Sequence, residues 1–198
     1  MTTPAEGQSA LAAAEFVALR TTIANRGTAR LVLAPALFAA WAVLCALQLA
    51  LSPTPLATLF PLMVLVAGFE AVLALHTGAE RIGRFIQVFV EEAAGHEGLR
   101  PMWETTAMAS APRMPGGIVD PLFTPVFAAA LILNLALGAV AGVTPGEIAA
   151  FASVHLLALG RMLLARRSAA SQRARDLEHF RRLRQTTTAA GLDRHPSR

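Results

Sequence analysis

The sequence predicts an all-α, polytopic membrane protein: four transmembrane helices in two hairpins, with amphipathic cytoplasmic helical extensions. Three observations predict it. Of 198 residues, 55% are hydrophobic and 15% charged, with a mean hydropathy of +0.52, whereas a soluble domain carries about 25% charge. The apolar residues are gathered into four blocks, each near the ~20 residues needed to cross a hydrocarbon core. All the arginines but Arg161 fall outside those blocks, and none falls in the short break within either pair of blocks.

Residues 1–30 form an N-terminal segment. Its opening is small and polar, and residues 9–29 read as an interfacial helix with Phe16, Leu19 and Ile23 as its apolar stripe. No basic start followed by an apolar core marks a cleaved leader, so the block beginning at Leu31 is expected to be a retained span. The first hairpin, 31–78, holds LVLAPALFAAWAVLCALQLAL (31–51), the break SPTP and a second span from Leu56 to Gly78. Pro35 is read as a first-turn proline or a mild kink, and Pro61 as a first-turn residue.

Residues 79–120 are expected on the cytoplasmic side. Ile82, Phe85, Ile86, Phe89 and Ala93 share one helical face, and Glu80, Arg84, Gln87 and Glu91 the opposite one. Such a helix is too charged to cross and should lie on the membrane or on a partner. A Pro- and Gly-containing stretch, 95–120, reads as a loop carrying Met102, Trp103, Met108 and Met114. The second hairpin, 121–165, comprises a span from about Pro121 to Gly142, the break VTPG and a span over 147–165. A basic helix from 166 to about Gln185 and an unstructured tail complete the 166–198 segment.

Topology follows from charge. Arg20, Arg26 and Arg30, then Arg81, Arg84, Arg100 and Arg113, then Arg166 onward lie in three segments that the positive-inside rule places in the cytoplasm. This predicts a bacterial cytoplasmic (inner) membrane protein with both termini inside. All seventeen basic residues are Arg and none is Lys, a usage that fits a GC-rich genome, so single arginines are not read as selected over lysine. The high isoelectric point comes from these flanking arginines and does not call for nucleic acid. Seven arginines over 166–184 face Asp176 and Glu178, a polybasic flank suited to anionic lipid, with Leu177, Phe180 and Leu183 as an edge on which a protein partner could dock.

The residues expensive to keep in a bilayer are Glu70, His155 and Arg161, with Asn134 as a neutral companion. Counting ~1.5 Å per residue puts Glu70 and Arg161 at nearly the same depth. A Glu70–Arg161 pair facing the bundle interior is expected, extended outward by His155 and Asn134. Three roles stay open for this seam: an ion pair that fixes helix register, a snorkelling Arg161 beside a protonated Glu70, and a proton or ion pathway. Arg81, Arg84, Glu91, Trp103, Arg166 and Arg167 form a candidate cytoplasmic interaction surface.

Other chemistry is sparse. The lone cysteine, Cys45, lies in an apolar run and reads as a small buried side chain. His76 is an interfacial helix-end histidine within reach of Glu80. Glu92 and His96, with Glu91 and Glu97, lack the second copy that bundle metal sites use, so no metal and no cofactor are expected. No nucleophile-elbow, zinc-protease, P-loop or dinucleotide motif occurs. The expected role is a non-enzymatic subunit, scaffold or regulator working through cytoplasmic surfaces, possible as a homo-oligomer. The alternative is a small oligomeric transporter or channel using the Glu70/Asn134/His155/Arg161 seam.

Overall fold

A computed structural model describes residues 4–51, 55–92, 120–140 and 144–192. Every regular element in them is helical: α1 (Pro4–Leu51), a 3₁₀ turn (Pro55–Thr58), α2 (Leu59–Ile86), a π-helical turn (Gln87–Glu91), α3 (Thr124–Val140) and α4 (Pro145–Leu192). Three of these helices are long and apolar enough to cross a membrane; α3 is shorter. The expected loop with Trp103, most of SPTP, the first residue of VTPG and the last six residues lie outside the described residues.

Several boundaries differ from the sequence reading. α1 is one uninterrupted helix of 48 residues, so no break separates an interfacial helix from the first span. Pro35 therefore lies in its interior and not in a first turn. α2 likewise continues past Gly78 to Ile86, so the polar stretch after the second span begins as part of the same helix. α4 runs to Leu192. The hydroxyls of Thr186, Thr187 and Thr188 bond back to the Leu183 and Arg184 carbonyls, and residues 186–192 are helical where an unstructured tail was expected.

α3 starts at Thr124 and not at Pro121, because Asp120 builds a turn ahead of it. The Asp120 carboxylate accepts from the amides of Leu122 (3.1 Å) and Thr124 (3.2 Å). Phe123 sits at φ 52°, a left-handed conformation that bulky residues rarely adopt. The start of α4 is also locally encoded. Thr144 Oγ1 accepts from the Glu147 amide, Glu147 Oε2 accepts from the Thr144 amide, and Pro145 takes the first helical position between them. This is a reciprocal cap with a proline where no N–H is needed.

The chain divides into two compact units, 27–76 with 119–169, and 1–26 with 77–118 and 170–198. In the first, Leu62, Leu65, Phe69 and Val72 of α2, Phe127, Ala130 and Leu131 of α3, and Met162 and Ala165 of α4 form a buried apolar core. Their spacing of three and four is the stripe expected of packed helices. Phe127 is its centre: its ring lies 4.9 Å from that of Phe38 and 5.4 Å, edge-on, from that of Phe69. α1 and α2 approach closely at Gly68, where an added Cβ would stand 2.6 Å from Leu37 Cδ1. In the other unit the rings of Phe85, Phe89 and Phe180 cluster, with centroids 4.7 to 6.4 Å apart.

Candidate functional site

The four polar residues expected inside the bundle form two separate pairs. Asn134 and His155 are buried, at 0% and 4% exposure. Glu70 and Arg161 are half-exposed. The reason is helical phase: His155 and Arg161 are six residues apart on α4, about 120° around the axis at 3.6 residues per turn. His155 shares its face with Phe151, Met162 and Ala165, all buried, while Arg161 falls beside that face.

Asn134 is a hub. Its amide nitrogen donates to the Thr58 carbonyl (3.1 Å) and meets His155 Nε2 (3.0 Å). Its carbonyl oxygen accepts from Trp41 Nε1 (3.4 Å) and weakly from Cys45 Sγ (3.7 Å). His155 Nδ1 lies 2.8 Å from the Phe151 carbonyl. A carbonyl can only accept, so Nδ1 carries the proton and Nε2 is left to accept from Asn134. One amide thus joins α1, the 3₁₀ turn, α3 and α4, with its donors and acceptor all in use. Gly138, one turn along α3, permits the approach: a Cβ there would lie 3.3 Å from Thr58 Cγ2.

Sequence reasoning missed Trp41, Cys45 and Thr58 as members of this hub. A signal existed for the first. Trp41 is the midpoint of the 31–51 block, and a buried indole N–H needs an acceptor. Cys45 follows it by one turn. The Thr58 contact is made by a backbone carbonyl, which carries no sequence signal.

Glu70 Oε2 accepts from Arg161 Nη2 at 2.9 Å, and the side chains are 40% and 50% exposed. The pair does not point into the core. His76 meets Arg30 Nη1 at 3.1 Å across α1 and α2. Arg166 Nε lies 3.7 Å from Asp120 Oδ2, next to the turn that starts α3, and Arg167 is exposed.

In the other unit two members of the expected interaction surface are not on a surface. Arg84 is 2% exposed and Glu91 is buried, as is Gln87 in the π-helical turn. The charged face of this stretch, read as outward-facing, is an inward one. Its physical cause is a carboxylate on α4. Asp176 Oδ2 accepts from both Arg84 Nε (3.2 Å) and Nη2 (3.0 Å), while Glu80 takes Nη1 at 2.8 Å. Arg81, 62% exposed, stands 3.8 Å from the same Asp176. Glu92 accepts from Arg181 at 2.6 Å and lies 3.8 Å from Arg184, and that bond raises the Arg181 pKa further. Arg184 Nη1 also donates to the Val88 carbonyl (2.8 Å). Trp103 lies outside the described residues. Among the described residues no group of three or more His, Cys, Asp or Glu is placed to hold a metal ion.

No protein-family model, no curated protein and no solved structure matches the chain.

Proposed function

We propose that the chain is an integral protein of the bacterial cytoplasmic membrane. It crosses the bilayer four times with both termini cytoplasmic and works as a non-enzymatic subunit or scaffold through its charged helical unit. The observation that carries the membrane reading is the exposure of the apolar windows. Their shares buried inside the protein are 17%, 33% and 22% for α1, α2 and α4. Leu31, Val32, Val43, Phe60, Met63, Ile132, Leu156 and Leu157 are among the large apolar side chains left outside. A monomer in water rarely exposes so much contiguous apolar surface; lipid is its natural solvent. α3, at 17 residues and about 25 Å, is short for a ~30 Å core. It completes a fourth span if the bilayer thins slightly or if the capped turn at 120–123 lies in the headgroup zone.

The scaffold reading rests on how the polar groups are used. Asn134, His155 and Arg84 are consumed by contacts that hold helices together. In the charged unit Arg81, Arg181 and Arg182 stay exposed beside their carboxylate neighbours Asp176, Glu92 and Glu178, and in the other unit Arg166 and Arg167 are exposed. Exposed guanidinium groups of this kind suit anionic headgroups or an acidic partner.

Single cysteines in a Cys45→Ala background test the topology. Cysteines at Asn25 and Gln185 should react with an impermeant maleimide only after lysis, and one at Thr144 from outside. Labelling of Asn25→Cys from outside would overturn it. Photo-crosslinkers at Arg81 and Arg181 test the scaffold role, which fails if the protein runs as a lone species in mild detergent and neither position yields an adduct. The transporter or channel alternative draws on the half-exposed Glu70–Arg161 pair. It requires Glu70-dependent proton or ion flux in reconstituted vesicles.

A further inference from the structure

The geometry points to a self-association face within the membrane, centred on Glu70 and Arg161, whose occupant is a second copy of this chain in a two-fold arrangement. The inference rests on the membrane reading above.

The pair is the one charged feature on an otherwise apolar exposed stripe. On α2 that stripe is Phe60, Met63, Ala67, Glu70 and Ala74, spaced by three and four. On α4, Leu157 (73% exposed) and Leu164 (61%) flank Arg161 at one turn on either side. Gly160 has open space where a side chain would be. Glu70 is eleven residues before Arg81, the first arginine beyond it on α2, about 16 Å along the helix. Arg161 is five residues before Arg166, about 8 Å, so the pair lies in the cytoplasmic half of the hydrocarbon core.

The internal contact leaves both groups incompletely matched. Glu70 and Arg161 share one hydrogen bond, through Oε2 and Nη2. Among the described residues Oε1 and the other guanidinium N–H groups have no recorded partner. A guanidinium has five donors and a carboxylate about four acceptor sites. Acyl chains supply neither, and unsatisfied polar groups in hydrocarbon are costly. Protein, not lipid, should therefore cover this spot.

Charge complementarity selects the partner. A neighbouring plus and minus on one surface is self-complementary under a two-fold axis, because each patch meets its own inverse. Glu70 of one copy then accepts from Arg161 of the other, and the reverse. The result is a four-membered ring of alternating charge, sealed by Leu157 and Leu164. The small Ala67 and Ala74 let the two α2 helices approach.

The test uses the full chain in native membranes, with Cys45 replaced by Ala. Copper-phenanthroline oxidation should convert Ala67→Cys to a covalent dimer, and leave Leu133→Cys, equally apolar and exposed on α3, at least several-fold less crosslinked. Equal yields overturn the inference. A second arm removes any dependence on folding of single-charge variants. The swapped chain Glu70→Arg/Arg161→Glu keeps an internal pair and can pair with itself, but opposes like charges to the parent. Co-expressed with differently tagged parent, it should form parent–swapped dimers several-fold below the statistical half. Random mixing overturns the two-fold ring, as does a monomer whose Arg161 is satisfied by headgroups alone. Carbonate extraction distinguishes the two levels. A chain released by carbonate defeats the membrane reading, whereas a retained chain without Ala67→Cys dimers defeats only this inference.

Discussion

Replacing Asn134 with Leu removes the hub while nearly conserving volume, so its effect reads the polar contacts and not a cavity. Two good hydrogen bonds are lost, to the Thr58 carbonyl at 3.1 Å and to His155 at 3.0 Å. The Trp41 and Cys45 contacts are longer and weaker. Intramembrane side-chain hydrogen bonds average about 0.6 kcal/mol and reach about 1.7. Leaving a buried partner unsatisfied costs about 1–3 kcal/mol. The Trp41 indole, the Thr58 carbonyl and His155 Nε2 would all be left without this partner, which places the loss at about 2–4 kcal/mol. For a chain of this length that is roughly 5–15 °C in Tm. Thermal unfolding in a mild detergent, followed by tryptophan fluorescence, checks it. The double variant Asn134→Leu/His155→Leu should recover part of the loss, because both ends of one bond are then apolar. An Asn134→Leu chain as stable as the parent would refute the reasoning: the hub would then select helix register without adding stability.

Three further outcomes follow from the same geometry. Arg84→Met should destabilise by about 3–5 kcal/mol, because it strands Asp176 and Glu80 beside a buried site; Arg84→Met/Asp176→Leu should recover, as judged by thermal unfolding and protease resistance of the 77–92 and 170–192 segments. Arg181→Gln should stay within about 1 kcal/mol, since its side chain is 51% exposed and surface pairs contribute little; a larger loss in the same assay would mean that Glu92 is anchored by more than this contact. Gly138→Val should cost about 1–3 kcal/mol by overpacking against Thr58, and should raise indole fluorescence sensitivity to quenchers as the Trp41–Asn134 contact loosens; an unchanged Tm would show that the turn yields freely.

Helical class and the presence of long apolar helices could be read from hydropathy and block length alone, because a bilayer-length apolar block needs no knowledge of its neighbours. Sites set by the nearest few residues were also legible: the Thr144–Glu147 cap belongs to a signature written within four positions. The depth of Glu70 and Arg161 could be counted along single helices, since rise per residue is fixed. Their direction could not, because rotation about an axis is decided by what packs against it. Here the Phe69–Phe127–Met162 side of the bundle claims the core and leaves the ion pair beside it. The same holds at 79–92, where amphipathicity identifies two faces but not that both are covered: Ile86 is buried and Phe85 and Phe89 pack on Phe180. Asp176, ninety-two residues after Arg84, turns the charged face in. The span of α3 was overestimated because Asp120 competes for the amides that would begin the helix earlier. Composition and period determined what kinds of elements this chain makes; the contacts among helices far apart in sequence decided which polar groups are spent on the fold and which are left to meet another molecule.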